Sequence, residues 1–238
     1  MSRSTVAELR REVLGAHQYL RSHGLVQFSF GNVSGIDRGR GLVVIKPSGV
    51  PYEQLSAESM VVVDMQGKVV EGSMRPSSDA ATHLALYGAF EGIGAVVHTH
   101  SHYATVWAQS GREIPCLGTT HADYFHGAIP VTAHLAGTEI ESEYEANTGH
   151  SIVRRFADLD PLRVPAVLVA GHASFCWSTS VTGAVETAHL LEEVARLAYH
   201  TVSLNAAAEP IPDGLRDKHF FRKHGAAAYY GQPATTRE

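Results

Sequence analysis

The first part of the chain alternates apolar and polar residues with a helical period. From Val6 to about Ser22, apolar side chains fall on one face of a helix that turns every 3.6 residues. The apolar positions of this face are Leu9, Val13, Ala16 and Leu20. The pattern predicts an amphipathic helix that ends near Gly24.

Beyond this helix, short apolar runs predict strands and longer periodic stretches predict helices. The predicted strands are Leu42–Ile45, Met60–Asp64, Lys68–Glu71, Gly94–Thr99 and Pro165–Ala170. The predicted helices run from Arg75–Asp79 through Phe90, from Ala104 to Gln109, from about Glu139 to Phe156, from Val181 to about Ser203 and near Asp213–Lys223. The segment Gly31-Asn32-Val33-Ser34-Gly35 is interpreted as a turn-rich loop, because these residue types favour turns. Interleaved hairpins and helices predict one α/β domain over residues 1–238 with a mixed sheet, and a C-terminal tail from about residue 212.

Composition narrows the classes of function. The chain has 238 residues, is 44% hydrophobic and carries a net charge of −5, which argues against a dedicated nucleic-acid binder. No apolar run approaches the ~20 residues of a membrane span, and no secretory signal follows the N-terminus. Cys116 and Cys176 are far apart, so a disulfide scaffold is not expected and a reducing cytoplasm fits.

The strand Val96-Val97-His98-Thr99-His100 ends in two histidines. Residues i and i+2 of a strand share one face, roughly 6–7 Å apart, so both imidazoles can approach one metal ion. The alternative is a pair of buried, hydrogen-bonded histidines, and among 15 histidines chance alone supplies such a spacing. A catalytic zinc needs a third ligand, for which His172 at the end of another apolar strand is one candidate and His102 a rival.

Two loops have the chemistry of an anion site. Pro76-Ser77-Ser78-Asp79 is a helix-start signal, where free N–H groups favour a phosphate and Asp79 is left for a cation. Lys46-Pro47-Ser48-Gly49 offers a cation, a hydroxyl and an approachable backbone, and Asn32 adds an amide. Read singly, these segments are an ordinary helix cap and turns. They form a phosphate pocket only if the fold gathers them.

Two further segments carry candidate proton-transfer groups. Asp123 lies in Gly118-Thr119-Thr120-His121-Ala122-Asp123-Tyr124-Phe125, where small and aromatic neighbours are expected to raise its pKa and suit it to acid or base work. The alternative is a turn-forming aspartate. Tyr229-Tyr230 near the C-terminus either anchors the tail or exchanges a proton near a metal.

Taken together, these motifs resemble the class II aldolase/adducin family. The segments that carry the resemblance are Gly31–Ser34, Ile45–Val50, Arg75–Asp79, Val97–Ser101, Gly118–Phe125, Asp217–His219, Arg222–Gly225 and Ala228–Gln232. They run in one order over nearly the whole chain. The His-Thr-His and Lys-Pro-Ser-Gly elements are typical of the whole superfamily, whereas the Thr-Thr-His-Ala-Asp-Tyr-Phe element and the Tyr-Tyr-Gly-Gln tail are more specific to its sugar-phosphate epimerases. The fold that the resemblance implies is a single three-layer α/β domain with a largely antiparallel sheet.

The resemblance also implies roles for individual residues. The implied metal ligands are Asp79, His98, His100 and His172, with Zn²⁺ as the metal and Mn²⁺ or Co²⁺ as alternatives. The implied substrate-binding residues are Asn32, Lys46, Ser48, Gly49, Ser77, Ser78, Thr119, Glu145 and His219. Asp123 and Tyr230 are the implied acid/base pair. Family enzymes are cyclic homotetramers with sites at subunit interfaces, so the tail tyrosine is expected to serve a neighbour's site.

The implied activity is inversion at C4 of L-ribulose 5-phosphate to D-xylulose 5-phosphate in a cytoplasmic enzyme of arabinose catabolism. Cleavage of the C3–C4 bond, stabilised as a metal-held enediolate, and re-addition would achieve this inversion. The alternatives are a sugar-phosphate aldolase and a non-catalytic adducin-like binding module. Where the epimerases usually carry Ser-Arg-His-Ala, this chain has Ser101-His102-Tyr103-Ala104.

Overall fold

A computed structural model describes residues 5–226 and 228–232. The ends of the predicted domain, 1–4 and 233–238, and residue 227 lie outside the described part. The helices are α1 (Val6–Ser22), α2 (Ala80–Ala89), α3 (His102–Ser110), α4 (Thr119–Ala122), α5 (Gly137–Glu141), α6 (Tyr144–Arg155), α7 (Val181–Leu204) and α8 (Asp213–Phe221). The strands are β1 (Asn32–Asp37), β2 (Leu42–Ile45), β3 (Val61–Asp64), β4 (Val69–Glu71), β5 (Ala95–Thr99), β6 (Ala166–Leu168) and β7 (Ser174–Ser178).

The strands of the described chain form one sheet in the order β4-β3-β2-β1-β5-β7-β6. Every neighbouring pair in this sheet is antiparallel. The expectation of a largely antiparallel sheet is therefore confirmed, and the parallel pairing among the described residues is an isolated bridge between Val131 and Leu168. The register pairs Asn32 with His98 and Thr99 with Ser174, which brings candidate site residues to one edge.

Helices cover both faces of the sheet, and this confirms the three-layer α/β architecture. Successive strand residues point to opposite faces: Val97 packs into a core with α1, α3 and α7, whereas Val96 packs into a second core with α2 and α6. Trp177 and Phe175 fill the second core and are fully buried. No helix in the described residues combines the length and the apolarity needed to cross a membrane.

The segment interpreted as a turn-rich loop is instead the central strand β1, paired with both β2 and β5. The loop prediction was wrong because tertiary contacts override the low strand propensity of Asn, Ser and Gly. A Cβ at Gly35 would lie 2.7 Å from the side chain of Leu9 and 3.0 Å from that of Val181, so a larger residue would require the side chains of α1 and α7 to shift. Ser34 is buried but keeps its hydroxyl paired with His83 and Tyr87.

Three other predictions changed in detail. The helix predicted over Glu139–Phe156 is divided into α5 and α6 around Glu143, whose φ of 49° lies in the left-handed region. Helix α2 begins only at Ala80, so Ser77 and Ser78 precede it in a loop. Strand β7 is not among the predicted strands, although its residues Cys176 and Trp177 are fully buried in the sheet.

Candidate active site

Three histidines meet at the edge of the sheet where β5 ends and β7 begins. Thr99 and Ser174 are register partners of this antiparallel pair, so His100 follows one strand where His172 precedes the other. His98 lies on β5, two residues before His100. One ring nitrogen from each histidine lies within 4.8 Å of the others. The structure thus brings together three of the four predicted metal ligands.

Backbone contacts orient these rings. The Nδ1 of His98 is 2.9 Å from the carbonyl of Ser174; with Nδ1–H as the donor, Nε2 is left as a free lone pair. That Nε2 lies 3.1 Å from Nε2 of His100. Two nitrogens bound to one tetrahedral zinc at 2.0–2.1 Å are about 3.4 Å apart. The pair therefore fits a shared divalent ion.

Burial also prepares the histidines electrostatically. Desolvation lowers the pKa of His98 to about 3, and it lowers the pKa of His100 and His172 as well. Neutral imidazole is the form that binds a metal. At neutral pH the three rings therefore offer lone pairs without first losing protons.

Asp79 lies beside the three histidines but outside their closest grouping. Its Oδ2 is 4.0 Å from Nε2 of His98 and accepts a hydrogen bond from the Asn32 amide at 2.6 Å. Burial alone raises the pKa of Asp79, but the neighbouring histidines and the Asn32 hydrogen bond outweigh it and hold the pKa below its usual value. Its role as a fourth ligand stays a prediction.

The two predicted anion loops are joined by main-chain hydrogen bonds. Ser48 N–H donates to the carbonyl of Arg75 at 3.0 Å, and Ser77 N–H donates to the carbonyl of Lys46 at 2.9 Å. The loops and the histidines line one cavity of about 300 Å³. We call it the histidine pocket, and its lining residues are Ser29, Phe30, Gly31, Asn32, Lys46, Ser48, Gly49, Ser77, Ser78, Asp79, His98, His100, Tyr144, Glu145 and His172.

A cation and several hydrogen-bond donors therefore share the cavity with the histidines. Lys46 is 2% exposed, and its Nζ donates to the carbonyl of Ser29 at 3.2 Å. Burial lowers the pKa of Lys46, while Asp79 opposes that shift. Gly49 has a φ of 69° and open space where a Cβ would be, so its backbone is accessible from the cavity. This set has the chemistry of a phosphate site.

The remaining predicted residues lie elsewhere. Thr119, Asp123, His219 and Tyr230 are absent from the described lining of the histidine pocket. Asp123 ends α4 and meets the end of α8, where it accepts from Nε and Nη2 of Arg222 at 3.0 and 2.7 Å. We call this group the Asp123 cluster, which comprises Asp123, His219, Arg222, Lys223 and Tyr230.

The expectation of a raised Asp123 pKa was wrong. Burial does raise it, but hydrogen bonds from Arg222, His219 and Lys223 outweigh burial and hold the pKa below its usual value. Lys223 Nζ lies 3.2 Å from Oδ2. Asp123 is therefore an ionised carboxylate at neutral pH. The two cations, Arg222 and Lys223, follow directly after α8 and lie 99 or more residues from Asp123 in sequence.

Tyr230 is held over the same cations but faces outward. The Arg222 guanidinium is 4.9 Å and the Lys223 ammonium 4.6 Å from the centre of its ring. Its backbone N–H donates to the carbonyl of Arg222 at 2.9 Å. The residue is nevertheless 61% exposed. More than half of the residue is thus open to solvent.

Sequence reasoning missed five residues of these two regions, one of which is Ser29 of the pocket lining. Phe30 and Tyr144 line the histidine pocket, and Arg222 and Lys223 bind Asp123. The sequence contained a signal near each of them. Phe30 precedes the motif Gly31–Ser34, Tyr144 precedes Glu145, and Arg222 and Lys223 belong to the motif Arg222–Gly225. His102, the rival ligand, begins α3 and lies outside the three-histidine group.

Three histidines that could hold a metal ion thus lie beside two loops with the chemistry of an anion site, on an antiparallel three-layer fold. The sequence model of a protein family, described as the Class II Aldolase and Adducin N-terminal domain, matches residues 11–199 of this chain. The chain belongs to this family.

Individual relatives and solved structures within the family resemble this chain over most of its length. The chain is 55% identical over 225 residues to a protein named L-ribulose-5-phosphate 4-epimerase UlaF of Salmonella paratyphi B, covering 94% of this chain and 99% of that one. Among solved structures, an L-fuculose 1-phosphate aldolase superposes with a TM-score of 0.78 at 24% identity, covering 92% of this chain and 97% of the other. A sugar-phosphate aldolase of Thermotoga maritima superposes with a TM-score of 0.64 at 20% identity, covering 87% and 98%. These structures support the shared fold.

Proposed function

We propose that this protein is a metal-dependent L-ribulose-5-phosphate 4-epimerase. The observation that carries the proposal is the meeting of His98, His100 and His172 with the Lys46 and Ser77 loops in one cavity. The 55% identity to a named epimerase over nearly the full length supports the choice of reaction.

Inversion at C4 requires that one bond to C4 is broken and then re-formed. The hydrogen on C4 of a 2-ketopentose phosphate is not adjacent to the carbonyl, so its direct removal is unfavourable. Cleavage of the C3–C4 bond instead leaves an enediolate and glycolaldehyde phosphate. If the aldehyde rotates before the bond re-forms, C4 is inverted.

The histidine pocket would bind the two ends of the substrate. A divalent ion held by the three histidines, with Asp79 as a further ligand, would supply positive charge for the oxygens on C2 and C3. We propose zinc, because neutral imidazoles in a tetrahedral arrangement suit it. Asn32, Lys46, Ser48, Gly49, Ser77 and Ser78 would hold the phosphate. A tethered phosphate would keep the cleaved aldehyde in place while it turns.

Proton transfer at the C4 oxygen would require two groups on opposite faces, since this oxygen changes sides. We propose Asp123 and Tyr230 for this work, with Thr119, Glu145 and His219 as substrate contacts. Because the Asp123 cluster does not line its own chain's histidine pocket, a neighbouring subunit would supply it. We therefore propose a homotetramer with shared sites, acting on pentose phosphates in the cytoplasm.

A coupled assay of metal-loaded protein with L-ribulose 5-phosphate tests the reaction. We expect D-xylulose 5-phosphate to form, and we expect a chelator to abolish its formation. Release of dihydroxyacetone without xylulose 5-phosphate would identify an aldolase instead. Protein that contains no stoichiometric metal would favour a binding module.

A further inference from the structure

Helix α3 connects two of the three histidines of the pocket. It begins at His102, two residues after His100, and its first intrahelical bond runs from Thr105 N–H to the carbonyl of Ser101. Near its other end, the carbonyl of Ala108 accepts a 3.0 Å hydrogen bond from the N–H of Gly171. Gly171 directly precedes His172. A shift of α3 would therefore displace His100 and His172 together.

The N-terminus of α3 lacks a cap from its own sequence. Helices begin with several N–H groups that have no partner within the helix. Ser101 is at the N-cap position, but its side chain makes no capping hydrogen bond and is 3% exposed. Its hydroxyl instead lies 3.4 Å from the hydroxyl of Thr99.

Glu192 of α7 supplies the missing acceptors from a distant part of the chain. Its Oε1 accepts from Tyr103 N–H at 2.8 Å, and its Oε2 accepts from Ala104 N–H at 3.0 Å. A carboxylate at a helix N-terminus is also favoured by the helix dipole. A second hydrogen bond joins α3 to α7, because Trp107 Nε1–H donates to the carbonyl of Ala195 at 3.0 Å.

We propose that Glu192 is a positioning residue for the metal centre: by holding the start of α3 against α7, it sets the places of His100 and His172. The inference rests on the proposed metal site, but it concerns a carboxylate that the reaction itself does not use. Partners that orient metal ligands commonly change metal affinity about 10–100-fold when they are removed. Glu192 acts through the backbone, so we expect about the lower end of that range.

The adjacent Glu193 is a matched control. It is one residue further along α7 and pairs with Arg196 on the surface at 2.8 Å, with 40% of its side chain exposed. Glu192→Gln keeps the size of the side chain but replaces one acceptor with an N–H₂ group that faces an N–H. Glu193→Gln makes the same chemical change outside the α3 contact.

The experiment measures Co²⁺ binding to the full chain, with the visible absorption spectrum of bound Co²⁺ as a report of ligand geometry. We expect Glu192→Gln to weaken Co²⁺ binding about tenfold, to alter the spectrum at saturation and to lower the melting temperature of the metal-free protein by only a few degrees, the cost of a weakened helix cap. Glu193→Gln should match wild type in all three readouts.

Two results would overturn the inference. One is wild-type affinity and spectrum in Glu192→Gln. The other is weaker binding that only follows the fraction of unfolded protein, with an unchanged spectrum at saturation, which would make Glu192 a helix cap alone. Wild-type protein that binds no Co²⁺ would contradict the proposed function together with this inference, so failures of the two are distinguishable.

Discussion

The histidine pocket and the Asp123 cluster are built in opposite ways. The pocket is formed by strand ends and loops that backbone hydrogen bonds hold together; desolvation lowers the pKa of the buried His98 to about 3 and also lowers the pKa of the half-buried His172 and the more exposed His100. The cluster is formed by charges at the junction of α4 and α8, where Arg222, Lys223 and His219 keep Asp123 ionised. In the histidine pocket desolvation favours neutral side chains, whereas in the Asp123 cluster charged side chains stabilise one another.

The two regions also differ in how complete they are. Loops and strand ends of the described chain line the histidine pocket, whereas Tyr230 and Tyr229 of the tail are 61% and 64% exposed. A phenol needs a substrate within hydrogen-bond reach to transfer a proton. Within the described chain the Asp123 cluster does not line the histidine pocket, and this separation is the physical basis for the proposed subunit-shared centre.

The largest expected effect comes from removing a pocket histidine. His100→Ala should lose bound metal, and its epimerase activity should fall about 10³-fold or more, since metal charge stabilisation is worth several kcal/mol. Metal analysis of the purified protein and the coupled assay provide the readouts. His102→Ala is the control and should keep its metal. Full metal content in His100→Ala would instead make His102 the ligand.

A change in the Asp123 cluster should separate chemistry from metal binding. Asp123→Asn should keep fold and metal content while activity falls about 10²–10⁴-fold, the range for loss of a general acid or base. Near-wild-type turnover would reject its assigned role.

Mixing these two variants tests whether the site is shared. If each site combines one chain's pocket with another chain's cluster, co-expressed His100→Ala and Asp123→Asn chains should recover about a quarter of wild-type activity by random assembly. Each variant expressed alone should stay nearly inactive. Mixed oligomers without recovered activity would mean that the two regions work within one chain.

The smallest expected effect is on pH dependence. Arg222→Gln removes a cation that lowers the pKa of Asp123, so the acid limb of the kcat/KM profile should move to higher pH. A carboxylate with a lowered folded-state pKa stabilises the fold above its unfolded value of about 3.9 and loses that contribution as the pH falls below it. The variant should therefore lose less stability than wild type on acidification below about pH 4.

Lys218→Gln is the control for that profile, because Lys218 lies over the ring of Tyr229, 5.1 Å from its centre. Its acid limb should overlay that of wild type. An unshifted limb in Arg222→Gln would mean that Asp123 does not control the rate.

Local patterns predicted much of this molecule where short-range chemistry dominates. The apolar spacing of α1 predicted a helix from Val6 to about Ser22, as observed. The i, i+2 spacing of His98 on β5 and His100 just after it predicted that both rings could approach one metal ion. The same reasoning failed at β1, because the reason for its strand lies in Leu9 and Val181, which pack against Gly35 from two helices.

The sequence by itself determined which groups are available: imidazoles at strand spacing, serines before a helix, and a carboxylate and a tyrosine in motifs of the family. Tertiary structure alone decided what surrounds them. Antiparallel pairing of β5 with β7 brings His172 to His100 across more than 70 residues. The end of α8 turns Asp123 from an expected weak acid into an ionised carboxylate. Both outcomes depend on long-range contacts, whose effects on distance and electrostatics no local pattern contains.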